Sequence, residues 1–154
     1  MAQTTGDVAM PILYRTPEAL NPKRHGDLRL VARPGFAFAA TAHAIPIAAA
    51  EMPSAIRSYP IVFVGAVHAP VAITGLRAGQ NVFVEADGTW TEPHYIPAYV
   101  RRYPFILAEE AGSDRLTLCV ERTSDRVVAA DQLPEGIEPV ALFNGTEPTE
   151  ATAR

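Results

Sequence analysis

A chain of 154 residues, 48% hydrophobic and 19% charged, is long enough for one domain with its own core and has neither a disordered nor a fibrous composition. Its net charge is −4, and the only dense basic groups are Lys23-Arg24-His25 and Arg101-Arg102, which excludes a phosphate-tracking surface and nucleic acid as the expected partner. The single cysteine, Cys119, excludes an intramolecular disulfide framework, and no stretch approaches the roughly 18 apolar residues of a membrane span.

Residues 1–9 read as a flexible leader without the charged-then-apolar layout of a signal peptide, so a cytoplasmic location is the simplest expectation. One globular domain is expected over 10–143. The chain has 14 prolines, about twice the usual share of roughly 5%, which favours short strands and turns over long helices. Leu28–Ala32 alternates like a half-exposed strand. Phe36–Ala39 alternates again after Arg33-Pro34-Gly35, and the two runs are expected to pair as a hairpin. Pro53 suits the first turn of a short helix through Arg57. Ile61–Val67, apolar on both faces, reads as a buried strand, with Val71–Leu76 as its hairpin partner. Asn81–Glu85 reads as a third strand, and a type I′ turn at Asp87-Gly88 is expected to bring Trp90 back beside Val82 and Val84. Pro93 and Pro97 confine the next helix to Ala98–Tyr103, and Phe105–Glu109, Leu116–Glu121 and Val127–Ala129 read as strands. Leu133-Pro134-Glu135-Gly136 breaks the pattern, Val140–Phe143 is a last apolar patch, and 144–154 reads as a disordered polar tail.

One apolar phrase occurs twice. Tyr59-Pro60-Ile61-Val62-Phe63-Val64 returns as Tyr103-Pro104-Phe105-Ile106-Leu107-Ala108. Proline denies a helix and the run behind it suits a buried strand, so both copies are expected to begin interior strands of one sheet. The fold class is α+β, mostly β: a twisted, largely antiparallel sheet of short strands with one or two short helices. The expected core is Ile61, Phe63, Ile73, Leu76, Val82, Val84, Phe105, Leu107, Leu118 and Val120.

Three stretches carry a family resemblance. They are Tyr59-Pro60-Ile61-Val62-Phe63; Gly75-Leu76-Arg77 with Gly79-Gln80-Asn81-Val82-Phe83-Val84 and Gly88-x-Trp90; and Tyr95-Ile96-Pro97-Ala98-Tyr99-Val100-Arg101-Arg102-Tyr103-Pro104-Phe105. With them the chain resembles the SapC-like family of bacterial proteins from about Leu13 to Val128. Family members usually continue into a helical C-terminal region, whereas this chain runs into a polar tail, as a shortened or truncated form would. The family name implies a surface-layer association. No catalytic residues come with the resemblance.

Chemistry-bearing residues are sparse. His25, His43, His68 and His94 show no metal-ligand spacing, and a site assembled from His68, His94 and Glu85 or Asp87 depends wholly on the fold. Cys119 shares a strand face with Thr117 and has no base nearby in sequence, which suits a packed residue. Tyr95, Tyr99 and Arg102 fall on one face if the helix includes all three, with Arg101 beside them. Aromatic rings next to guanidinium groups can recognise a carboxylate, phosphate or peptide, or else pack and cap. Trp90 is either an exposed binding ring or the cover of a sheet end. The candidate ligand-binding residues are therefore Trp90, Tyr95, Tyr99, Arg101 and Arg102. The reading is a non-catalytic binding or assembly protein for a peptide, protein or glycan, with no cofactor, no metal and homo-oligomerisation left open. The alternatives are an enzyme or enzyme accessory with a pocket around Tyr95, Tyr99 and Arg102, and a surface-layer-associated protein.

Overall fold

A computed structural model describes residues 11–109, 112 and 115–152. The expected leader over 1–9, and Ser113 and Asp114 of the loop after Gly112, lie outside the described residues. In chain order the elements are β1 (Pro17–Ala19), α1 (Pro22–His25), β2 (Leu28–Val31), β3 (Ala44–Pro46), α2 (Met52–Ala55), β4 (Ile61–Val64), β5 (Ala69–Ile73) and α3 (Ala98–Arg101). They continue as β6 (Phe105–Glu109), β7 (Leu116–Glu121), β8 (Val127–Ala129), β9 (Pro139–Ala141), β10 (Phe143–Asn144) and β11 (Glu147–Pro148).

The fold is mostly β and antiparallel, with few and short helices, as expected. Its strands are distributed over small sheets ordered β1-β7-β6, β8-β2-β9 and β3-β5-β4, with β10-β11 as a two-stranded ribbon. The β6–β7 hairpin pairs Phe105 with Val120 and Glu109 with Leu116. After β9, the hydroxyls of Thr149 and Thr152 donate to the Leu142 carbonyl at 3.2 and 2.8 Å, so the chain folds back over the buried Leu142.

Aromatic rings join these sheets. Tyr99 meets Tyr14 edge-on, Tyr14 meets Tyr103, and Tyr103 stacks on Phe38 at 4.0 Å between ring centroids. Phe38 touches Phe36, which meets Trp90 edge-on; Trp90 faces Phe83, and Phe83 meets Tyr59. Offset and edge-to-face contacts of this kind favour aromatic pairs beyond the area they bury. The principal core contains Ala39, Ile45, Ala55, Tyr59, Ala72, Trp90 and Val100.

Several expectations are corrected. The two tyrosine–proline phrases do not begin interior strands of one sheet: β4 and β6 are edge strands of different sheets. In the first phrase the buried part is Tyr59, not the run behind it; in the second Tyr103, Pro104 and Ile106 are buried while Leu107 and Ala108 are exposed. Of the expected core only Val120 is fully buried; Phe63 is 56% and Leu76 96% exposed, and Val82 and Leu107 are exposed as well. Short edge strands have one side uncovered, which apolar composition alone does not reveal.

Phe36–Ala39 does not pair with β2. It forms a 3₁₀ turn over Ala37–Ala39, while β2 lies between β8 and β9. Asn81–Glu85 is not a strand either. The Asn81 carboxamide accepts the Phe83 N–H at 3.0 Å and donates to the Ala39 carbonyl at 3.1 Å, turning the chain locally. The Asp87-Gly88 turn does return Trp90 to Val84, as a single bridge. Its geometry is not type I′: the Gly88 N–H bonds to the Glu85 carbonyl, and Gly88, with φ +86°, supplies the left-handed residue while Asp87 does not.

Candidate functional site

Pro97, fixed in an extended conformation, stands before α3 and releases the helix at Ala98. Tyr95 therefore precedes the helix, and the expectation that Tyr95, Tyr99 and Arg102 share one helical face is corrected. Two separate pairs form instead. Arg101 lies over the Tyr95 ring at 5.6 Å, and Arg102 lies over the Tyr99 ring at 4.1 Å.

The first pair is part of a closed network. Arg101 donates to the Tyr95 hydroxyl at 3.1 Å and to the Ile96 carbonyl at 3.1 Å. Tyr95 donates in turn to Glu51 Oε1 at 2.9 Å. The same carboxylate accepts the Ala98 N–H at 2.6 Å and, through Oε2, the Ala48 N–H at 2.8 Å. Burial raises the Glu51 pKa, but the hydrogen bonds from Ala48, Ala98 and Tyr95 outweigh it and hold the group below its ordinary value. Glu51 thus caps α3 from a distant segment, and Tyr95 links it to Arg101.

The second pair is open. Arg102 is exposed and has no carboxylate within ion-pair distance among the described residues. Beneath it the Tyr99 hydroxyl donates to the Ile12 carbonyl at 2.9 Å, and Tyr14 donates to the Phe105 carbonyl at 2.7 Å. Burial pushes the Tyr14 pKa up to about 12 in spite of the neighbouring Arg102. Arg101 and Arg102 also line a groove of about 520 Å³ with Leu30, Phe105, Leu118 and Val140.

Trp90 lies behind this face. It is 5% exposed, and its Nε1–H donates to the Tyr59 hydroxyl at 3.1 Å. The Tyr59 hydroxyl in turn donates a hydrogen bond to the Tyr95 carbonyl. Tyr59 is thus a buried link between the core indole and the start of the Tyr95–Arg102 segment.

The histidines are not gathered. His68 occupies the β4–β5 turn with φ +52°, His94 lies edge-on to Phe83, and His25 is buried with Nδ1 accepting the Asn21 N–H. Among the described residues, no three His, Cys, Asp or Glu side chains are grouped to hold a metal ion. Cys119 is buried in β7, and burial raises its thiol pKa.

Sequence reasoning missed Glu51, which follows three alanines and carries no local signal. It also missed Glu121, which does carry one: alternation along β7 places it on the same face as the buried Cys119.

The SapC family model matches residues 20–154. The chain belongs to the SapC family. The match continues past Val128, so β9, β10 and β11 of this SapC-family chain fall within it. No curated protein and no solved structure matches the chain. Among the described residues no helix is long and apolar enough to cross a membrane.

Proposed function

We propose that this SapC-family chain is a non-catalytic binding protein that takes a peptide or protein segment against the Arg101–Arg102 end of α3. The observation that carries this reading is Arg102 itself. It is an exposed guanidinium placed over the Tyr99 ring, without an acidic partner among the described residues, at the rim of a groove with an apolar floor. A guanidinium ordered by stacking loses less freedom when it grips a carboxylate. The ligand chemistry that fits is an acidic group beside an apolar side chain. A glycan suits the site less well, because the Tyr99 face on which a sugar would stack is already covered by Arg102. Trp90 and Tyr59 support the face from behind, and Arg101 positions Tyr95.

The test is an array of short acidic–apolar peptides probed with the intact chain. The wild type is expected to retain a subset of peptides, and Arg102→Ala to weaken that binding by about tenfold or more, the scale of one charge-assisted hydrogen bond. The melting temperature should stay within about 4 °C, since Arg102 is exposed and its cation–π contact with Tyr99 is worth about 1 kcal/mol. A wild type that retains no peptide, or an Arg102→Ala variant that binds the array unchanged, overturns the reading.

A further inference from the structure

A second cavity lies on the other side of Tyr103 and Arg126, which line both. Its volume is about 350 Å³, within the range of small-molecule sites. Three arginines from separate segments meet in its lining: Arg15 before β1, Arg33 after β2 and Arg126 before β8. This gathering of cations stands against a net charge of −4 for the whole chain.

The carboxylates in the lining are Asp87 and Asp125, and both are engaged. Asp87 Oδ1 accepts the Thr89 N–H at 2.9 Å and the Thr89 hydroxyl at 2.7 Å. Asp125 faces Arg33 at 3.8 Å, and its backbone carbonyl accepts the Arg33 Nε–H at 2.8 Å. Arg15 and Arg126 have no carboxylate within ion-pair distance among the described residues. Arg126 is also fixed in place: it donates to the Gly35 carbonyl and lies over the Phe38 ring at 5.0 Å and the Phe36 ring at 5.8 Å. Of the five N–H donors of its guanidinium, this bond is the only one made among the described residues. The stacked rings of Phe38 and Tyr103 form an apolar wall beside the cations.

We infer that this cavity is a site for a compact anion, a small carboxylate or phosphate compound, held by Arg15 and Arg126 with Arg33 at the rim. It is a different site from the peptide face: Tyr103 and Arg126 border both, but neither Arg101 nor Arg102 lines it. Oxyanions suit guanidinium groups through paired, charge-assisted hydrogen bonds, and a prefixed guanidinium such as Arg126 binds them at a reduced ordering cost.

The experiment is isothermal titration calorimetry of the intact chain with inorganic phosphate and, separately, with succinate, each against sodium chloride at equal ionic strength. At least one is expected to bind with a dissociation constant near or below about 1 mM. Phosphate alone binding assigns a phosphate compound, and succinate alone a carboxylate; both binding assigns the shared oxyanion chemistry. Arg15→Gln, at an exposed position where folding is not at stake, should weaken binding by about tenfold, and Arg15→Gln with Arg33→Gln should abolish it. Arg102→Ala should leave it unchanged, so failure of the peptide face and failure of this site are told apart. Absence of binding by both anions up to about 10 mM, or binding that survives the double substitution, overturns the inference.

Discussion

Trp90→Ala is expected to be the most damaging single substitution, at a cost of about 3–5 kcal/mol, the range for removing a buried large aromatic ring. The indole touches Phe36 and Phe83, sits in the principal core and donates its N–H to Tyr59. Truncation leaves a void between the Phe36 and Phe83 rings, and the Tyr59 oxygen loses its donor. For a chain of this size each kcal/mol corresponds to roughly 2–4 °C, so the melting temperature followed by circular dichroism should fall by roughly 6–20 °C. Trp90→Phe should lose far less, because it keeps most of the ring volume and gives up one buried hydrogen bond worth about 1 kcal/mol. A Trp90→Ala protein that melts within about 3 °C of the wild type would remove Trp90 from the core and return it to the surface role left open in the sequence.

The second large effect concerns Glu121, which is 1% exposed and has no cation at ion-pair distance among the described residues. Its carboxylate accepts the backbone N–H of Arg15 at 2.6 Å, those of Thr16 and Thr123, and the hydroxyls of Thr16 and Thr123. Burial alone raises its pKa, but these donors outweigh it and hold the group at about 2 against an ordinary value of 4.5. A pKa lower in the folded state than in the unfolded chain means that ionised Glu121 stabilises the fold above pH 4.5, and that this contribution drains away as pH falls toward about 2. The shift is equivalent to up to about 3 kcal/mol. Glu121→Gln turns two acceptor oxygens into one and sets an NH₂ group among donors, so a loss of about that size is expected at pH 7. Urea unfolding at a series of pH values checks it. The wild type should lose stability steeply between pH 4.5 and 2, and the variant should show a shallower slope there; parallel curves would mean that Glu121 is not the group responsible.

Much of the local structure was legible in the sequence. β6, β7 and β8 occupy the residues read as strands, because each is a short β-branched or aromatic run with polar or glycine neighbours. Pro97 marks the start of α3, and the glycine after Asp87 marks a turn whose presence was read correctly though its type was not. What failed was the placement of elements against one another. Leu76, Val82 and Phe63 look like core by composition, yet nothing local says that β4 stands at an edge or that Asn81 folds its own segment into a turn. Phe36 and Phe38 alternate as strand residues do, but their partners are Trp90 and Tyr103, more than fifty positions away. At the candidate site the Tyr–Arg pairing was visible as a cluster. Its division into a hydrogen-bonded half and an open half depends on Glu51, some forty residues upstream, and on a helix too short to include Tyr95.

The bare rim of β4 has a practical bearing on how the protein behaves in a tube. Between Tyr59 and Val67 there is no ionisable side chain apart from Tyr59 itself, and Val62, Phe63, Val64 and Val67 all face water. Sequences of this kind rely on global repulsion between molecules rather than a local gatekeeper to stay dispersed. Near the isoelectric point of about 5.5 that repulsion vanishes. Turbidity should therefore peak close to that pH, and a lysine in place of Val62 should suppress it.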